Sequence, residues 1–403
     1  MNSGQREVRF INQQSVAENG DGKFRPKLVL IHEDSLRDAE TSEILSRLSG
    51  VETRIVRDHP DADVDETDKH PGERTANSKF NQNTLFLSRH NGKFLKPCQG
   101  GGAEMCCNYY IAGYAWNCHF NCSYCVLQGY LTNPALIIAT NMDDYLDEIG
   151  GALRALPERI FRVGTGELAD SLALDAVTHY TKRVVPFFAA LPNGVLELKT
   201  KSTEIANLEG LNHGGRTVVS WSLNSIKIRD SEEKLSPTID DRLAAAAQCA
   251  KWGYRLGFHF DPLVYYPGWE DGYREVVREL FGRIDPENIA WISLGALRFT
   301  PRLGEIMRKR HPESRLPYGE FVPGHHGKLR YFRLMREEMY RKMFAWIREE
   351  APSVFVYLCM ESRLVWERGL NDGTRDKEHL SDILDSRAMR DLLLYTPNVT
   401  NHV

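Results

Sequence analysis

The sequence predicts an α/β protein organised around a parallel sheet, either doubly wound or curled into a partial barrel. Three observations carry that expectation. Short β-branched runs alternate with helical stretches along most of the chain. From about residue 109 the alternation is steady, and strands separated by helices pair in parallel. The 403 residues leave room for two or three domains and a core that needs no covalent staple.

Taken in order, residues 27–31 read as a strand, 35–48 as a helix and 52–56 as a second strand, a small βαβ unit. Residues 57–83 lose periodicity and fill with Asp, Pro, Lys, Asn and Gly, the composition of a loop or linker. Residues 84–88 read as a third strand of the same unit. Further strands are expected at 109–115, 159–163, 195–199, 217–222, 256–261 and 289–294. Helices are expected between them at 143–156, 172–188, 239–252, 270–281 and 302–310. A long charged helix over 328–350 and a strand over 354–358 follow. The tail after about residue 369 is charged and helical at most.

Composition narrows the function. Fifty-one basic residues against fifty-five acidic ones give a net charge of −4, whereas a dedicated nucleic-acid binder is usually basic. Contact with nucleic acid would therefore need a local patch, such as residues 298–310 with five Lys or Arg against one Glu. No run approaches the roughly 18 apolar residues of a membrane span. The first residues, Met1 to Glu7, lack the apolar core of a secretory signal. Eight cysteines are too few for a disulfide scaffold, so a cytoplasmic protein with reduced thiols is expected.

Those thiols are not scattered. Cys118, Cys122 and Cys125 form a CxxxCxxC loop directly after a predicted strand. At this cysteine content the spacing would arise by chance on the order of 0.003 times per chain. Three thiolates on one tight loop can hold three corners of a metal centre. An iron–sulfur cluster normally takes four cysteines, so three leave one iron free for an outside ligand. A structural zinc site needs four closed ligands, and His119 is the available fourth at an awkward offset. Buried inert thiols are the remaining reading.

A three-cysteine loop after the first strand of a β/α array resembles the radical S-adenosylmethionine superfamily. The run from Cys118 through His119, Phe120, Asn121, Cys122, Ser123, Tyr124, Cys125, Val126, Leu127 and Gln128 is similar to the cluster loop of the spore photoproduct lyase family. The similarity continues through 198–201, 220–224, 253–258, 268–273 and 297–301, and covers roughly residues 27–360. It implies a partial (β/α)6 barrel of the radical SAM type with an N-terminal βαβ extension. On that reading residues 1–100 form the extension and linker, 101–360 the barrel and 361–403 a C-terminal tail. It also implies a [4Fe-4S] cluster, S-adenosyl-L-methionine and an electron donor such as flavodoxin or ferredoxin. In that family one electron from the cluster splits the sulfonium and yields a 5′-deoxyadenosyl radical.

Residue by residue, the resemblance implies that Cys118, Cys122 and Cys125 are the cluster ligands and that Tyr124 contacts the adenosine. It implies that Lys201 and Ser222 hold the methionine carboxylate and the ribose, and that Glu167 takes the methionine amino group. A carboxylate following glycines can approach an ammonium closely, and a lysine pairs with a carboxylate. His259 and Asp261 alternate with Phe258 and Phe260, so one pair faces the barrel interior, as substrate-pocket residues or as a satisfied core. Glu361 is a weaker candidate of the same kind.

The pattern also departs from the family. Spore photoproduct lyase returns a hydrogen atom through a cysteine just after the second strand, aided by a tyrosine after the cysteine loop. Here the tyrosine position is Val126, and residues 161–175 contain no cysteine. The expectation is a spore-photoproduct-lyase-like radical enzyme whose substrate, a small molecule or nucleotide-like group with nucleic acid possible, is not the thymine dimer. The alternatives are a DNA photoproduct lyase with a different hydrogen donor and a zinc-stabilised nucleic-acid-binding module. The role of Cys98, Cys106 and Cys107 stays open.

Overall fold

The structure, a computed structural model, describes residues 24–57, 82–98, 104–105, 107–131, 133–324, 327–370 and 377–389. Most of the expected linker therefore lies outside the described residues, as does Cys106. The strands in chain order are β1 (Leu28–His32), β2 (Glu52–Val56), β3 (Thr84–Ser88), β4 (Leu95–Pro97), β5 (Tyr110–Ala112), β6 (Ala115–Trp116) and β7 (Leu136–Ala139). They continue as β8 (Phe161–Gly164), β9 (Gly194–Thr200), β10 (Thr217–Ser222), β11 (Arg255–Leu263), β12 (Ile289–Ala296), β13 (Arg298–Phe299), β14 (Val322–Pro323), β15 (Leu329–Arg330) and β16 (Val356–Leu358).

Two sheets share the work. The first has the order β2-β1-β3-β7-β6, and β1, β2, β3 and β7 are parallel. Leu85 to Leu87 on β3 are buried from both sides, which is why that strand is a continuous apolar run rather than an alternating one. The second sheet has the order β16-β12-β11-β10-β9-β8-β5-β4 and is parallel except for β4. It curls into the partial barrel.

The barrel strands follow a period of two. Leu196, Leu198, Val219, Trp221, Phe258, Phe260, Ile292 and Leu294 are buried and point outward beneath the helices. Their neighbours Glu197, Ser220, His259 and Ser293 meet one another inside. The interior is therefore polar. At the start of the strands a helix, Lys377–Ala388, closes the barrel: Asp385 pairs with Arg162 at 2.6 Å, while Leu380 and Leu384 are buried.

Several expected elements differ. The strand expected over 109–115 is split, because β5 joins the barrel and β6 turns away to pair antiparallel with β7. The helix expected over 172–188 is two helices, Asp175–Thr178 and Tyr180–Ala189, broken where His179 adopts φ +52°. There the Asp175 carboxylate accepts from Thr181 N at 2.9 Å and from its hydroxyl at 2.6 Å, capping the second helix. The long helix spans Arg333–Glu350, because Leu329–Arg330 pairs with β13 and β14 instead. β7 has no counterpart among the expected strands. Its apolar run Leu136–Ala139 is too short for periodicity to betray it.

Candidate cofactor site at the barrel mouth

The cysteine loop connects β6 to a short helix, Leu127–Tyr130, and lies over the C-terminal ends of the barrel strands. Its shape is set by polar anchors. Asn117, at φ +76°, accepts from Cys118 N at 2.9 Å, and its side-chain amide donates to the Pro134 carbonyl at 2.9 Å. The Gln128 amide donates to the carbonyls of Cys122 and Ser123, both at 2.9 Å. Ser123 N donates to the Glu232 carbonyl at 2.9 Å, and the Ser123 hydroxyl to the Glu232 carboxylate.

Cys118, Cys122 and Cys125 gather around one small apolar cluster with Phe120 and Ala173. Burial pushes the Cys122 thiol up to about 12 and raises those of Cys118 and Cys125 as well. In a protein without a bound cation these groups stay protonated. Among the described residues no three Cys, His, Asp or Glu side chains stand as a ready-made metal cage, these three included. Their chemistry nevertheless fits an iron–sulfur cluster: three thiols on one loop with no fourth protein donor among them. The buried Nδ1 of His119 and Oδ1 of Asn121, both without a hydrogen-bond partner, mark the loop as polar and unfinished. The His119 ring is held by packing. It stacks on Phe24 at 4.5 Å, and burial lowers its pKa to about 4.

Beneath the loop, Lys201 follows the end of β9. Its backbone N–H donates to Asp170 at 2.6 Å, and Thr200 Oγ1 donates to the same carboxylate at 2.5 Å. Asp170 also accepts from Leu172 N and Ala173 N, so it ties the loop after β8 to the end of β9. The Lys201 ammonium sits 5.9 Å from the Tyr124 ring centre and within the electrostatic reach of Cys122 and Cys125. The Tyr124 hydroxyl donates to Glu233, which forms a fully buried pair with Arg242 at 2.7 Å. Desolvation pushes the Glu233 carboxyl up, but Arg242, Lys201 and the Tyr124 hydroxyl outweigh it and hold the group at about 2. Arg242 in turn donates to the Ser222 carbonyl at 2.8 Å, so β10 is fastened to the same assembly.

The structure thus brings Tyr124, Lys201 and the three cysteines together, with Ser222 joined to them through Arg242. Glu167 is exposed on the loop after β8, where Lys199 and Cys125 feel its charge. The glycines before it have packing reasons. A Cβ at Gly164 would meet the Tyr109 hydroxyl at 1.4 Å, and one at Gly166 would meet the Lys199 carbonyl oxygen at 2.6 Å. His259 is a satisfied core group, 2.9 Å from Glu197 and 2.6 Å from Ser293, and Glu361 is locked by Arg336 and Tyr340. Asp261 receives both Arg298 nitrogens at 3.0 Å. Sequence reasoning missed Asp170, the Glu233–Arg242 pair and Lys199. Only Lys199 left a trace, since it shares a strand face with Lys201 two residues on.

The comparisons with known proteins point to one family. A family model described as spore photoproduct lyase matches residues 24–356. Spore photoproduct lyase of Geobacillus sp. is 28% identical over 306 residues, 74% of this chain and 86% of that protein. A solved spore photoproduct lyase complexed with dinucleoside spore photoproduct superposes with a TM-score of 0.73 at 25% identity, covering 83% of this chain and 99% of that one. A double variant of that enzyme with bound AdoMet and dinucleoside spore photoproduct shares the fold at a TM-score of 0.70 and 24% identity, covering 83% and 98%. No helix among the described residues is long and apolar enough to cross a membrane. This chain belongs to the spore photoproduct lyase family and is a radical S-adenosylmethionine enzyme.

Proposed function

We propose that the chain holds a [4Fe-4S] cluster on Cys118, Cys122 and Cys125 and binds S-adenosylmethionine beside it, acting on a nucleotide-like substrate other than the thymine dimer. When bound, that pair supplies reductive cleavage of the sulfonium to a 5′-deoxyadenosyl radical. The reading is carried by the meeting of Lys201 with Tyr124 and the cysteine loop. Lys201 would pair with the methionine carboxylate, Glu167 with its ammonium, Tyr124 with the adenosine and Ser222 with the ribose. An external one-electron donor of the flavodoxin or ferredoxin kind would feed the cluster. The solved relative with AdoMet and a dinucleoside photoproduct supports the cofactor and the nucleotide-like class of substrate.

The change of substrate rests on Val126, 45% exposed, and on the stretch from Phe161 to Asp175 without a thiol. A valine side chain offers no O–H or S–H hydrogen. The test is anaerobic purification with iron counting, then incubation with cofactor, reductant and a dinucleotide spore photoproduct. Release of 5′-deoxyadenosine without return of thymine is the expected outcome; repeated turnover to thymine overturns the changed substrate.

A second reading keeps dimer repair and changes the hydrogen donor. It is favoured by Cys359, which follows β16 and faces Arg298, Asp261 and Lys199, with its Sγ 3.8 Å from Arg298 and Cys107 also within electrostatic reach. Cys359→Ala tests it: repair that survives the substitution removes Cys359 as the donor.

A further inference from the structure

Lys199 is an inward-facing residue of β9 that the proposed cofactor site does not use. Its ammonium lies inside the barrel and makes no hydrogen bond or ion pair among the described residues. Its charged neighbours are Asp261, Glu167, Cys359 and Glu197. Two of these carboxylates are already engaged. Asp261 takes both nitrogens of Arg298, and Glu197 is held by His259, Ser220 and Trp291 at 2.9, 2.6 and 3.2 Å. Glu167 is exposed on its loop and Cys359 stays a neutral thiol, because burial raises its pKa.

A charge taken out of water normally has a dedicated partner, because desolvating it alone is costly. Lys199 has none, yet its surroundings keep it protonated: burial would lower its pKa, and the nearby carboxylates raise it overall. A second observation points the same way. Lys328, which also lies within electrostatic reach of Cys359, is half-buried, and its ammonium meets only the Met360 sulfur at 3.9 Å among the described residues. The nearby Glu104 is engaged instead by Arg330. The chamber therefore presents two ammonium groups around Cys359 that have no hydrogen-bonded carboxylate among the described residues.

We infer that Lys199, assisted by Lys328, forms an anion-recognition subsite inside the barrel for a phosphate or carboxylate group of the substrate. The inference deepens the proposed function by naming what the substrate must carry, and it rests on the barrel interior being the substrate chamber. An acidic oxygen at Lys199 would give its ammonium the hydrogen-bond acceptor it lacks and lie beside the Cys359 thiol. It would also orient the rest of the substrate toward the mouth, where Lys201 and Tyr124 stand. Charge-assisted hydrogen bonds of this kind fix orientation as well as adding affinity.

The test is calorimetric titration of the anaerobically prepared, cluster-containing protein with four probes: inorganic phosphate, thymidine, thymidine 5′-phosphate and thymidine 5′-carboxylate. At least one anionic probe should bind, and the two thymidine acids separate a phosphate from a carboxylate preference. In Lys199→Met that binding should weaken roughly 10–100-fold, the loss of one charge-assisted hydrogen bond. Lys199→Arg, which keeps the charge, should restore most of it and guards against a merely misfolded Met variant. Thymidine binding without any anionic gain, equal anion binding by Lys199→Met, or no binding by any anionic probe overturns the subsite. Phosphate binding that depends on Lys199 while thymidine fails to bind leaves the subsite standing and removes the nucleoside reading instead.

Discussion

Cys118, Cys122 and Cys125 are neighbours in sequence, so their spacing alone makes a common task legible. Replacing any one of them by Ala should strip the anaerobically purified protein of its iron, about four atoms per cluster. A triple variant that keeps iron and sulfide would sink the assignment. Lys201 belongs to the same test. Lys201→Ala should weaken S-adenosylmethionine binding by about 1.5–3 kcal/mol with iron content intact, as measured by equilibrium dialysis. Unaltered binding in both Lys201→Ala and Glu167→Ala would refute the cofactor pocket. The residues that escape the sequence do so for a physical reason. Asp170 reaches Lys201 across 31 positions, and Ser123 reaches Glu232 across 109. Such pairs exist only after the strand ends have been assembled, and no local spacing announces them. Others stay ambiguous until folding: in sequence His259 reads equally as a pocket residue or a satisfied core group, and in the structure it is bonded on both ring nitrogens.

Elements carry the same lesson one level up. Several barrel strands are legible because they alternate an apolar outward residue with a polar inward one, as in Leu196-Glu197-Leu198-Lys199 and Phe258-His259-Phe260-Asp261. β6 and β7 are not, since two- and four-residue strands carry too little pattern. The helix Ile226–Glu232 and the turn after it show what an element does for the site. Glu232 receives the cysteine loop through Ser123, Glu233 receives Tyr124, and Arg242 on the following helix, Ile239–Lys251, clamps Glu233. Because the pair is fully buried, Arg242→Met leaves an uncompensated carboxylate and should cost about 3–5 kcal/mol of stability in urea unfolding. It should also loosen the cysteine loop, so iron should leave faster to a chelator than in the parent protein. Stability lost without faster iron release would mean that the clamp supports the barrel alone.

At the scale of the whole molecule, the polar barrel interior makes stability a function of pH. Glu197, Glu233 and Asp261 are each held at about 2, against ordinary values of 4.5, 4.5 and 3.8; burial opposes the shift, and His259, Arg242 and Arg298 outweigh it. Their folded pKa values lie below the unfolded ones, so their stabilisation is complete above about pH 5 and is lost as pH falls toward 2. His119, His259 and His311 are kept neutral by burial, two of them at about 4. They too lose stability as pH falls, beginning near their unfolded value of 6.5. Buried Cys249 and Cys359 act at the other end: their raised folded pKa values mean stability present below about 9 and lost as pH rises above it. Glu40, Asp175 and Asp385, whose carboxyls burial raises, oppose the acid loss, but they lack the depth of the three low carboxylates. The urea midpoint should therefore be highest between roughly pH 6.5 and 9, fall gently to about 4.5 and steeply below it. Glu197→Gln should flatten part of the acid limb while lowering the plateau, because the amide keeps the Ser220 and Trp291 contacts but not the charge beside His259. A midpoint that rises between pH 6.5 and 4 would show that the interior charges are not paired as described.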